Sequence, residues 1–163
     1  MTTFPITPTP TLDGFTAWIY DVMGVPTQYL PSTSVVIEYA YNTAYATVNP
    51  LFQCVPGPIY LQMVYNLGGH LLATWAPDVP NLVYETLDGV QYGYFQWLRK
   101  QNNMLGFTTG IVSASSDEGS SVSLVVPDQA KNLTIGQLAL TTSPWGRVYL
   151  GYAMDVGQNW GLS

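Results

Sequence analysis

Proline and glycine divide this chain into segments of helical length, and that punctuation constrains its fold more than any other feature. From Thr11 onward, Leu12, Phe15, Trp18, Ile19, Val22 and Met23 recur at helical spacing until Gly24 and Pro26 end the pattern. After Pro31, Ser32 or Ser34 can cap a second helix that carries Val35, Ile37, Tyr41, Ala44 and Val48 and stops at Asn49-Pro50. Its β-branched and tyrosine residues lower its helix propensity. Pro58, with φ already set for a first turn, opens a third helix through Ile59, Met63, Leu67, Leu71 and Trp75, and Pro77 closes it. Gly68 and Gly69 in its middle each cost about 1 kcal/mol relative to alanine, so they imply close approach by another helix or a kink. Residues 76–89 read as a loop. A fourth helix is expected over residues 90–104, with Val90, Tyr94, Trp97 and Leu98 on its apolar side and Arg99 and Lys100 suiting its C-terminal dipole.

Beyond Gly106 the period changes from 3.6 to 2. Ile111 and Val112, then Val122, Leu124 and Val126, flank the polar run from Ser113 to Ser121, which predicts a β-hairpin insertion over about 107–128 with Asp117, Glu118 and Gly119 at its tip. The stretch from Asn132 to Leu140 suits a short helix or a strand equally. Ser143 followed by Pro144 is a cap and first turn for a last helix through Val148, Tyr149, Tyr152 and Met154. The expected fold is therefore mainly α: one helical domain over 11–156 bearing the hairpin, an extended Pro/Thr arm at 1–10, and a tail at 157–163.

Charged residues make up only 9% of the 163, against a usual level of about 25%. A surface so poor in charge suggests coverage by partners, and twelve Tyr with five Trp agree with that, because such side chains are enriched at interfaces. A tyrosine-rich core explains the same count, and composition does not separate the two. The net charge is −6, and Arg99, Lys100, Lys131 and Arg147 are too few for a patch that tracks phosphates, which argues against tight nucleic-acid binding. An acidic wall can still line a conduit along which DNA slides. Cys54 is the single cysteine, so no internal disulfide is expected. The N-terminus lacks the basic start and apolar run of a signal peptide, and no stretch has the length of a membrane span; synthesis in a cytoplasm is the expectation.

Catalytic chemistry finds little to build on. His70 is the one histidine, so any Ser-His triad would need it, yet it lies within an apolar helix, where a packed imidazole hydrogen-bonded to a backbone group is the commoner arrangement. Asp117-Glu118 lacks the alternating ligands of a calcium loop, and Glu38 and Glu85 are not placed together by any pattern. No phosphate-binding or dinucleotide fingerprint occurs, and no cofactor or metal is expected.

Three segments in order, Gly69-His70-Leu71-Leu72-Ala73, the polar loop from Gly110 to Ser123, and Thr142-Ser143-Pro144-Trp145-Gly146-Arg147-Val148-Tyr149, resemble a family of small tailed-phage head-to-tail adaptor or head-completion proteins. The resemblance covers about residues 58–155. It implies a helical bundle with a hairpin or long loop, assembled as a dodecameric ring under the portal in the neck of the virion, with double-stranded DNA passing through without sequence-specific contact. It assigns His70, Leu71 and Leu72 to the core helix, Trp145 and Gly146 to the start of the last helix, and Arg147 and Tyr149 to its continuation. The tyrosine- and threonine-rich first half and the end from Gln158 to Ser163 match no motif of the family. On this reading the partner-binding residues are Phe4 and Ile6 in the arm, Ser115, Asp117 and Glu118 in the loop, and Trp160 and Leu162 in the tail, ordering on contact with portal or neck proteins; frayed termini would be the plain alternative. A tail-terminator or minor capsid protein would share these features. A carbohydrate-binding module, suggested by abundant Trp and Tyr beside acidic residues, predicts mostly strands instead.

Overall fold

The computed structural model describes residues 9–48, 57–104, 111–114, 123–125 and 134–160, with side chains over 9–48, 57–104 and 134–155. The protein is mainly helical, with antiparallel β-hairpins. Its helices are α1 (Leu12–Asp21), α2 (Val35–Thr47), α3 (Gly57–Trp75), α4 (Tyr94–Gln101), α5 (Ile135–Leu140) and α6 (Pro144–Trp160); strands β1 (Glu85–Leu87) and β2 (Val90–Tyr92) precede α4, and β3 (Ile111–Ala114) and β4 (Ser123–Val125) follow it.

α1 begins where Thr11 accepts a hydrogen bond from the Gly14 amide at 3.1 Å, and beyond its last residue, Asp21, the chain turns away at Gly24, whose φ of 70° a side chain would resist. Its apolar stripe buries Phe15, Trp18 and Ile19. Ser34 stands at the N-cap of α2 but makes no side-chain cap bond; Ile37, Ala40 and Ala44 face inward. α3 is the axis of the molecule, buried on nearly every side from Met63 to His70, with α2 and α6 against it and α1 and α4 in further contact. Gly68 and Gly69 leave α3 unbroken. A Cβ on Gly68 would lie 2.7 Å from the Phe15 ring, and one on Gly69 would lie 2.9 Å from the Trp18 ring, so the glycines admit the aromatic face of α1. Close approach, rather than a kink, is what they provide.

The tyrosines lie mostly inside. Tyr29, Tyr60, Tyr65 and Tyr94 are buried, whereas only Tyr39 and Tyr45 are exposed. One ring cluster joins Phe15, Trp18, Tyr41 and Tyr65 across α1, α2 and α3, with centroids 5.6 to 6.1 Å apart. A second joins Tyr29, Tyr84, Tyr94 and Trp97 beneath α4, at separations of 4.8 to 6.2 Å. Such pairs add about 0.5–1.5 kcal/mol beyond area burial. Their hydroxyls reach backbone oxygens: Tyr20 donates to the Leu30 carbonyl at 2.8 Å and Tyr41 to the Pro10 carbonyl at 2.9 Å. Much of the high tyrosine count is therefore core.

Several expected boundaries move. Residues 90–92 are strand, not the start of α4: Asp88 (φ 53°) and Gly89 (φ 77°) form a two-residue turn that pairs Leu87 with Val90, Thr86 with Gln91 and Glu85 with Tyr92. Two successive positive-φ residues suit the twist of a hairpin, and Asp-Gly is a preferred pair for it. α4 stops at Gln101 because Asn103 adopts φ 54° and the Met104 amide returns to the Arg99 carbonyl at 2.8 Å, the glycine-like helix stop that asparagine tolerates. The stretch from Asn132 to Leu140 resolves into α5 from Ile135, started by a capping box in which the Thr134 hydroxyl accepts from the Gln137 amide while the Gln137 side chain accepts from the Thr134 amide. α6 runs on through Gly157 to Trp160, so that part of the expected tail is helix. β3 and β4 lie within the expected insertion, paired Ile111 with Val125 and Val112 with Leu124; its tip, the arm at 1–8, Cys54 and Leu162 lie outside the described residues.

Candidate functional site

Two of the three segments that carry the phage resemblance meet in space. His70 on α3 and Ser143 at the head of α6, 73 positions apart, are both buried, with Nδ1 and Oγ 2.7 Å from each other. The Ser143 hydroxyl also accepts the Gly146 amide at 2.9 Å, and its carbonyl accepts the Arg147 amide at 3.1 Å, which makes it the N-cap of α6. The contact with His70 Nδ1 uses either the hydroxyl hydrogen or the second lone pair of that oxygen, according to the imidazole tautomer. The expectation of a backbone partner for His70 is thus corrected: the partner is a side-chain hydroxyl, available because the cap geometry points it at α3.

Gly146 completes this junction. A Cβ there would lie 2.2 Å from the Leu140 carbonyl oxygen and 3.0 Å from His70 Nδ1, so only glycine lets α5, α6 and α3 close together. Leu72 is fully buried; Leu71, Trp145 and Tyr149 are half-buried and packed against the core. Burial raises the Tyr149 phenol above its ordinary pKa. Arg147 is exposed. Trp160 ends α6, while Phe4, Ile6, Ser115, Asp117, Glu118 and Leu162 lie outside the described residues.

A serine oxygen against an imidazole nitrogen is also the contact a nucleophile and its base make. Here Ser143 is fully buried and its oxygen is committed to the Gly146 amide, so the pair joins helices rather than presenting a nucleophile. Burial holds the His70 pKa below 6.5. The folded state then binds fewer protons than the unfolded one, so stability is full above about pH 6.5 and falls as pH drops below it toward the folded value. Wild-type protein is expected to lose thermal midpoint between pH 6.5 and pH 5, and His70→Gln to lose less over the same interval; parallel curves would refute the assignment.

A second polar junction escaped the sequence reading. Asp78 accepts the Phe95 amide at 2.6 Å and the Gln96 amide at 3.0 Å, capping α4 from the connection after α3. Gly93 has room for no Cβ, which would lie 2.3 Å from the Asp78 carboxyl carbon. Arg99 works in the opposite direction: its Nε donates to the Ala73 carbonyl at 2.8 Å, and its terminal nitrogen to the Ala76 carbonyl, so it closes the C-terminus of α3 rather than serving its own helix. Burial depresses the Arg99 pKa, partly offset by the Asp78 carboxylate.

An open pocket of about 370 Å³ lies between α1 and the start of α2, lined by Leu12, Asp13, Thr16, Ser32, Thr33, Ser34, Ile37 and Glu38. It contains none of the residues expected to bind partners. Among the described residues no group of three His, Cys, Asp or Glu converges as a metal site would need, and no helix is long and apolar enough to cross a membrane. Neither a protein-family model, nor a curated protein, nor a solved structure matches the chain.

Proposed function

We propose that this protein is a structural subunit of a tailed-phage particle, an adaptor that rings the portal at the head-to-tail junction around the DNA exit channel. The observation that carries the reading is the junction of His70, Ser143 and Gly146: the two separated motifs of the resemblance form one packed unit, as parts of a shared scaffold would. The outer face of α6 adds to it. Val148 and Met154 stand 45% and 39% exposed on the helix that leads to Trp160. Neighbouring copies that bury such faces gain strength from ring closure, because many weak contacts act together. Twelve copies, contact with the portal and passage of DNA follow from the same resemblance. A tail-terminator or minor capsid role would use the same surfaces at another place in the virion. The carbohydrate-binding alternative loses its footing, since it required mostly strands.

Removing residues 158–163 is expected to abolish co-sedimentation with the portal protein of the same genome, with the circular dichroism of the remaining helices retained. Undiminished co-sedimentation, or absence of the protein from purified virions, would overturn the proposal.

A further inference from the structure

We propose that the exposed face of α2, with the pocket beside it, docks a lysine- or arginine-bearing segment of a different protein. This surface is separate from the α3–α6 junction, and the inference stands whether or not the chain belongs to a phage neck. Along α2, Val35, Tyr39 and Tyr45 are 60%, 65% and 41% exposed, at spacings that set them on one side of the helix, while Ile37, Ala40 and Ala44 take the buried side. Tyr45 is presented by its neighbours: its ring stacks on Tyr41 at 5.9 Å, and Tyr41 is anchored through its hydroxyl to the Pro10 carbonyl. Glu38 lies on the same side and also lines the pocket, where Asp13 supplies a second carboxylate and Leu12 and Ile37 supply apolar wall. Among the described residues, no cation lines that pocket.

The chemistry that fits is an aliphatic stem ending in a positive charge. The stem covers the apolar wall, the charge meets the carboxylates, and the tyrosine faces attract it through their ring quadrupoles. The chain already shows the motif in miniature: Lys100 donates to the Tyr92 hydroxyl at 2.8 Å with its nitrogen 4.3 Å from the ring centre. A second copy is a poor occupant. Among the described residues Arg99 is committed to the Ala73 and Ala76 carbonyls and Lys100 to Tyr92, so a second copy could offer this face only Arg147. Charge complementarity therefore points to a basic partner segment.

The test uses the full chain and two acetylated, amidated octapeptides, one alternating arginine and leucine, the other with citrulline in place of arginine. The arginine peptide is expected to shift the amide resonances of Val35, Tyr39 and Tyr45 on binding. Glu38→Gln and Tyr39→Ser should each weaken it by about tenfold, the loss of one charged or ring contact. Glu85→Gln makes the same charge change on the exposed strand β1 and should leave affinity within about twofold, since net charge alone contributes little at that distance. Equal weakening by Glu85→Gln, equal binding of the citrulline peptide, or self-association through α2 that Arg147→Gln abolishes would each overturn the proposal.

Discussion

Phe15→Ala is expected to lower the unfolding free energy by about 3–5 kcal/mol, the range for truncating a fully buried aromatic ring. Phe15 has no exposed surface, and its ring lies among Trp18, Tyr41 and Tyr65 at the junction of α1, α2 and α3. The ring also covers Gly68, which makes a sharper test available. Gly68→Ala alone would push a methyl to 2.7 Å from the ring and should cost about 1–3 kcal/mol as overpacking. In the Phe15→Ala background that methyl enters the vacated space. The helix also gains about 1 kcal/mol from replacing glycine, so Gly68→Ala should then be neutral or stabilising. Urea titrations of the four proteins, with slopes compared to confirm two-state behaviour, give the coupling directly. A Gly68→Ala penalty of equal size in both backgrounds would show that the ring and the glycine are not partners.

Local signals carried most of the helices into view. Thr11, Pro58 and Ser143-Pro144 act on the backbone within a few residues, so their effects are written at the sites they control. The glycine pair in α3 was legible as a demand for space, though not as space for rings from α1. Two local signals were present and unread. Asp88-Gly89 marks a hairpin, but its strands have three residues each and are largely exposed, too short for alternation to register. Thr134 and Gln137 form a capping box that settles the ambiguity before α5.

The polar junctions were illegible for a different reason. Arg99 sits beside the last turn of α4, where the dipole explains it well enough, yet it serves carbonyls 23 and 26 positions earlier. Asp78 caps a helix that begins beyond an intervening hairpin, 17 positions from the Phe95 amide. Neither spacing follows a helix or strand period, so only the packed chain reveals them. The tyrosines show the same limit in composition. A count cannot say whether rings face copies or each other; in the two clusters Tyr29, Tyr41, Tyr65, Tyr84 and Tyr94 face other rings of the same chain, while Tyr39 and Tyr45 are exposed.

Gly146→Ala is expected to cost about 3 kcal/mol or more and to loosen α6 from α3 while α1, α2 and their aromatic junction stay packed. The added Cβ would lie 2.2 Å from the Leu140 carbonyl oxygen and 2.9 Å from its carbon, and a backbone group cannot turn aside as a side chain can. Relief requires α5 and α6 to separate. Overpacking of this kind costs about 1–3 kcal/mol, and separation also strains the Ser143 cap and its bond to His70, whose buried nitrogen would lose its partner at a further cost of about 1–3 kcal/mol. Gly151→Ala is the matched control on the same helix. Among the described residues, no atom beyond its chain neighbours and its own helix backbone lies within 4 Å of the added Cβ, so replacing that glycine should stabilise by up to about 1 kcal/mol. Hydrogen exchange separates a local from a global effect: amides of α6 should lose protection in Gly146→Ala, whereas those around Ile37 and Phe15 should keep it. If Gly146→Ala and Gly151→Ala proved equally harmless, α5, α6 and His70 could not be packed as closely as this junction requires, and the two motif segments would lose their physical link.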